Sequence, residues 1–220
     1  MRERGIPQLG SGLVFPIVEE DILCDPIDIP THWPRLCGID FGWDHPTAVV
    51  WIAWDRDTDI VYIYDCYAMR QETVPVHASA INGRGKWIPV VWPMDGRQAD
   101  KGSGKSLTDQ YKKESVNMLR DHFSNPSSNG MKEGSGGNSV EAGIMEILTR
   151  MQTKRLKIFR NQSKLLEELR MYHRKDGKIV PAHDDVISAM RYCVMSLRKA
   201  RIKNYQPMQF QTDSEFNVFN

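Results

Sequence analysis

Hydrophobic positions along this chain fall into two spacings. Over 36–41 and 47–55 they form near-continuous runs, and over 59–69 they alternate with polar residues, so each segment reads as a β-strand. The short turn Asp55-Arg56-Asp57-Thr58 joins the second and third into an antiparallel hairpin. A fourth run, Trp87-Ile88-Pro89-Val90-Val91-Trp92, leads into Pro93-Met94-Asp95-Gly96, and a fifth strand covers 156–160. Spacings of three and four predict helices over 72–83, 106–123, 139–154 and 162–173. In the second of these, Leu107, Tyr111, Val116, Leu119 and Phe123 are the expected core positions. A last core helix of about 16 residues opens at His183-Asp184-Asp185 and buries Ile187, Met190, Val194 and Leu197.

The order of elements implies an α/β fold, with a mixed sheet of three antiparallel strands followed by strands that alternate with helices, covered by those helices. Residues 1–35 mix charge, Gly and five prolines around one apolar patch, Leu13–Val18, and are expected as an extended entry segment with one edge strand. The ordered domain is expected over 36–200. It is interrupted at 124–139 by a Gly/Ser/Asn-rich flexible loop and followed at 201–220 by a flexible tail.

Chemistry concentrates where strands end. In Leu36-Cys37-Gly38-Ile39-Asp40-Phe41-Gly42 an apolar strand carries a carboxylate, which is costly unless a cation meets it. Glycines on both sides allow close approach by another group. Asp95 follows the fourth strand in the same way, and Asp184 and Asp185 sit at a helix start. Singly, each has an ordinary role: Asp95 as a turn residue before Gly96, the pair as helix N-caps. If the first and fourth strands are neighbours and the helix start docks beside them, the carboxylates converge and repel unless metal ions fill the gap. Oxygen ligands suit Mg2+ or Mn2+, and two such ions about 3.5–4 Å apart activate water and stabilise the leaving oxygen in phosphodiester cleavage.

Ile39-Asp40-Phe41-Gly42 with its hairpin, Val91-Trp92-Pro93-Met94-Asp95-Gly96, and His183-Asp184-Asp185-x-x-Ser188-Ala189-x-Arg191-Tyr192 together resemble the C-terminal nuclease domain of tailed-phage terminase large subunits. The likeness spans roughly residues 12–200, and its last segment is the most specific part. It implies an RNase H-like (resolvase-like) fold and an endonuclease that cuts concatemeric double-stranded DNA during genome packaging. Asp40, Asp95 and Asp184/Asp185 would be metal ligands for two Mg2+ or Mn2+ ions, with no zinc and no nucleotide in this domain. The family often carries another Asp where Ser188 stands here. The resemblance also implies a preceding packaging ATPase domain, a portal protein and a small terminase subunit as partners, action in the host cytoplasm, and no membrane association.

Composition alters this picture little. A net charge of +1 announces no bulk affinity for nucleic acid, so DNA contacts must come from local patches. Cys24, Cys37, Cys66 and Cys193 are scattered without metal-ligand spacing, as expected of reduced thiols in a soluble intracellular protein. Ala99–Ser106 satisfies a relaxed P-loop pattern with Ala in place of the first Gly. It begins too far beyond its strand and lacks a second acidic strand, so a Gly-rich loop beside the carboxylates is the better reading. Arg97, Lys101, Lys105 and His183 are then candidates for holding DNA phosphates. Basic clusters at 154–160 and 170–178 are further phosphate candidates, and the tryptophans at 43, 51, 54, 87 and 92 are expected in the core. Competing readings are a junction resolvase or transposase-type nuclease, a P-loop nucleotide-binding module, and a non-catalytic DNA- or portal-docking module.

Overall fold

Strand β4 (Thr47–Asp55) is apolar almost throughout because both its faces are covered, and its first seven residues are all buried. Ala48, Val50 and Ile52 point into one hydrophobic layer, while Val49 and Trp51 point into the other. A computed structural model describes residues 12–98, 104–124 and 138–203 of the chain, apart from the side chains of 138 and 139. Around β4, a six-stranded mixed sheet runs in the order β2 (Leu23–Cys24), β7 (Leu156–Phe159), β5 (Ile60–Met69), β4, β3 (Arg35–Asp40) and β6 (Val90–Val91). Strands β3, β4 and β5 form the expected antiparallel meander. Strand β6 lies parallel to β3, and β7 lies parallel to β5.

Helices α4 (Asn138–Gln152), α5 (Ser163–Met171) and α6 (Asp185–Val194) cover one face of the sheet. Helices α2 (Val74–Gly83) and α3 (Leu107–Lys113) cover the other. Among the described residues no helix is long and apolar enough to cross a membrane. All four cysteines are free thiols.

Residues 12–34 are more than an extended entry with one edge strand. Strand β1 (Gly12–Leu13) pairs with β8 (His173–Lys175), which pairs with β9 (Lys178–Ile179). The helical turn α1 (Glu19–Ile22) leads into β2 (Leu23–Cys24), which extends the main sheet beside β7. Val14, Phe15 and Ile22 are buried in the α4–α6 layer, so this segment completes the core.

The helix expected over 106–123 stops at Lys113. Ser115 takes a left-handed backbone (φ 63°), and the chain then runs beside β6. There the N–H of Val90 donates to the Asn117 carbonyl at 2.8 Å and the N–H of Leu119 to the Val90 carbonyl at 2.9 Å. An open sheet edge needs hydrogen-bond partners, and satisfying it outweighs three further helical turns. Val116 and Phe123 are buried and Leu119 packs against the core, though from an extended segment. The last helix ends at Val194, and a 3₁₀ turn over Leu197–Lys199 replaces its final turns. Trp43, expected in the core, is 58% exposed. The loop expected at 124–139 falls almost wholly outside the described residues, as do 204–220 and positions 99–103 of the P-loop-like stretch.

Helix α6 lies unusually close to β3. A Cβ on Gly38 would collide with the Ala189 carbonyl oxygen and lie 2.8 Å from Cys193 Sγ. Leu36, Gly38 and Asp40 share a strand face by the two-residue period, so the contact aims Asp40 at α6. The N-terminus of α6 is capped from a distance. Asp184 occupies the N-cap position yet makes no side-chain cap, and Oε2 of the buried Glu168 on α5 accepts the N–H groups of Val186 (2.9 Å) and Ile187 (3.0 Å). Burial, reinforced by the charges of Asp185 and Asp184, pushes the Glu168 carboxyl up to about 8.

Gly38→Ala should lower unfolding stability by about 1–3 kcal/mol or more, because backbone rather than a flexible side chain blocks the new methyl; urea denaturation reads this directly. Glu168 supplies a pH signature. In the folded state its carboxyl stays protonated to about pH 8, whereas it ionises near 4.5 when unfolded, so folding takes up a proton between these values. In EDTA, stability should therefore fall as pH rises from 5 to 8. Glu168→Gln, whose amide oxygen keeps both N–H partners, should flatten that fall, whereas Glu168→Ala should lower stability at every pH. Urea melts at several pH values check all three.

Candidate active site

Parallel pairing of β3 with β6 sets their C-terminal ends side by side. Asp40 is the last residue of β3, and Asp95 follows β6 within a 3₁₀ turn, Met94–Arg97. That turn is clamped by Gly96. A Cβ there would lie 2.7 Å from both Phe41 and Trp92, and the buried Thr108 hydroxyl donates to the Gly96 carbonyl at 2.8 Å. The α6 start brings Asp184 and Asp185 to the same place. Because Glu168 caps the helix, neither aspartate is committed to that task.

Electrostatics shows the convergence. Burial raises the Asp40 carboxyl to about 7, and the charges of Asp95, Asp185 and Asp184 all push in the same direction. Only the Tyr192 hydroxyl, which donates to Asp40 Oδ1 at 3.1 Å, opposes them. Desolvation also raises Asp95, even though the residue as a whole is exposed, against the Gly96 N–H and His45. Asp184 is raised by burial and by Asp185, with Arg191 and His45 opposing. Among the described residues, no three His, Cys, Asp or Glu side chains stand close enough together to hold a metal ion as they are placed. Asp95, Asp184 and Asp185 nonetheless lie near enough for their charges to act on Asp40, and a cation among them would relieve that repulsion. An all-oxygen donor set of this charge fits a hard divalent ion such as Mg2+ or Mn2+.

His45 is the residue that sequence reasoning missed. Its Nδ1 lies 2.7 Å from Asp185 Oδ1, bridging the loop after β3 to α6. Gly42 permits this, since a Cβ there would collide with the His45 carbonyl and lie 2.5 Å from its Nδ1. Asp44-His45-Pro46 reads simply as a turn, and the one signal was Gly42, marking a close approach whose partner lay three residues on. Tyr192 was legible only as part of a motif. Glu168, a carboxylate between the core positions Leu165 and Leu169, was a visible anomaly that periodicity alone passes over.

The basic candidates divide. Arg97 and Lys105 are exposed on the segments that follow Asp95, and His183 is exposed with a left-handed backbone (φ 54°) just before Asp184. Lys101 lies outside the described residues. The more distant basic clusters are largely engaged: Arg155 with Asp59, Arg160 with Glu20 and Asp25, Arg170 with Glu19, and Arg174 with Glu141. Two of these arginines, Arg160 and Arg170, fasten residues 19–25 to the domain.

Comparison with known proteins agrees with this architecture. The model of the terminase RNase H-like domain family matches residues 37–197. The terminase large subunit of Salmonella phage P22 is 41% identical over 202 residues, covering 91% of this chain and 39% of that protein, so the chain spans well under half of this relative. The solved P22 large terminase nuclease domain superposes with a TM-score of 0.76 at 40% identity, covering 88% of this chain and 96% of that one. The nuclease of the phage G20c large terminase, solved with bound magnesium, shares the fold alone: TM-score 0.57 at 16% identity, covering 86% and 99%. Most of the described domain lies inside the matched span, and the chain belongs to the terminase RNase H-like domain family.

Proposed function

We propose that this domain is a divalent-metal-dependent endonuclease that hydrolyses double-stranded DNA with little sequence specificity. The observation that carries this reading is Asp40, a half-buried carboxylate whose ionised form is opposed by three other aspartates at once. Asp40, Asp95, Asp184 and Asp185 would hold Mg2+ or Mn2+, and a pair of such ions supplies Lewis-acid activation of the phosphodiester and of water. The chain's own residues then have distinct tasks. Tyr192 fixes the Asp40 carboxylate through its hydroxyl, and His45 fixes Asp185. Arg97, Lys101, Lys105 and His183 would meet backbone phosphates, which orients a duplex without reading its sequence.

The relatives are terminase large subunits, which supports a role in cutting concatemeric DNA during packaging. In that setting the domain would work in the host cytoplasm beside a packaging ATPase domain, a portal protein and a small terminase subunit.

Supercoiled plasmid incubated with the protein should be nicked in Mg2+ or Mn2+ and untouched in EDTA. Asp40→Asn should abolish nicking, Tyr192→Phe should slow it about tenfold, and Lys105→Ala should only weaken it. Metal-independent nicking, or full activity in Asp40→Asn, would sink the proposal. Metal affinity should also depend on pH. Protons compete for Asp40 below about pH 7, so apparent affinity should rise by about tenfold per pH unit up to that point and level off above it. Calorimetric titration of Mn2+ between pH 5.5 and 8.5 tests the slope.

A further inference from the structure

Beside the carboxylates opens a cavity of about 640 Å³, sharing Asp95 and His45 with them and bounded by the loop after β3, the start of α2 and helix α3. Its chemistry differs from that of the site next door. Phe41 and the buried Tyr111, with ring centroids 5.5 Å apart, form an aromatic floor. Gln98 and Gln110 each bring an amide that both donates and accepts hydrogen bonds. Trp43 lines the cavity while remaining 58% exposed.

Among the described lining residues there is no Lys or Arg, and Glu72 and Asp95 add negative charge. Those described residues offer a phosphate no lysine or arginine. The space suits a flat, uncharged group with a hydrogen-bonding edge, and an exposed indole beside it offers a stacking face of the kind that holds single bases. An exposed tryptophan has no role in the core, and here it lines the cavity within two residues of Phe41 and His45.

We propose that this cavity receives one unpaired nucleobase from the DNA strand whose phosphate lies at Asp40 and Asp95, so that the domain cuts preferentially beside a base that has left the duplex stack. This rests on the nuclease reading above. Leaving the stack costs a few kcal/mol in matched DNA and less at a mismatch or bulge. Cleavage would therefore favour such positions without base-specific readout, because Gln amides present both donor and acceptor.

The test uses three otherwise identical duplexes: fully matched, with one bulged thymine, and with an abasic residue at the bulge. Cleavage sites are mapped in Mg2+, binding is measured by fluorescence anisotropy in Ca2+, and plasmid nicking runs in parallel. The expected result is cutting next to the bulged thymine about tenfold faster than in the matched duplex. The abasic bulge, equally flexible but without a base, should lose that gain. Trp43→Ala should reduce the thymine-to-abasic ratio toward one, with thermal unfolding confirming that it folds. Equal rates on the thymine and abasic bulges, alongside normal plasmid nicking, would overturn the pocket and leave the nuclease standing. No nicking, but tighter binding to the thymine bulge than to the abasic one, would overturn the nuclease and keep the pocket. No nicking and equal binding would overturn both.

Discussion

Everything at this site depends on how closely α6 presses on β3. Gly38 leaves no side chain between the strand and the Ala189 carbonyl, and that missing methyl lets the helix start reach the strand end. A larger residue would lift α6 off the sheet and carry Asp184 and Asp185 away from Asp40. Similar close contacts recur around the site: Gly96 lets the turn bearing Asp95 seat between Phe41 and Trp92, and Gly42 lets His45 fold back. Three glycines thus set three separate approaches of backbone to backbone or ring.

Close packing gathers charge that would scatter in open solvent, and something must hold it. Part of the answer is a division of labour at the start of α6. Its free N–H groups would ordinarily recruit Asp184 or Asp185 as a cap, committing a carboxylate to the helix. Glu168 reaches across from α5 to do this instead, and burial keeps its own carboxyl largely protonated near neutral pH. A neutral cap adds no further negative charge beside four aspartates. Tyr192 acts in the opposite sense, donating a hydrogen bond to Asp40 and easing its ionised form.

How much of this could be read from the chain follows from the range of the forces involved. The meander and the apolar runs were legible because period-two burial is local; the matching ends of two strands singled out Asp40 and Asp95, but that β3 and β6 are parallel neighbours is supplied by the structure. The over-long helix at 106–123 was not, since its apolar spacing also suits a segment lying along a sheet edge. What decided between them was the unpaired backbone of β6, invisible until β6 is placed. The entry segment misled for a related reason: its prolines signal irregular backbone, yet Val14, Phe15 and Ile22 still seal the core. His45 and Glu168 act across 140 and 18 residues of sequence, and no local pattern encodes such a pair.

Charge placement separates the two halves of the substrate-facing surface. The carboxylate space is negative and oxygen-rich, and favours cations. The adjoining cavity is aromatic and amide-lined, has no Lys or Arg among its described lining residues, and offers little to phosphate. A strand of DNA presents both kinds of partner within one nucleotide: an anionic backbone that needs a cation between itself and the carboxylates, and a flat uncharged base. Trp43 lines the cavity and is three residues from Asp40, so one short loop carries the chain from the strand-end carboxylate to the cavity wall. On the proposed reading, the same short loop would tie the chemistry to the shape of the DNA, and a duplex that released no base would meet only half of the surface.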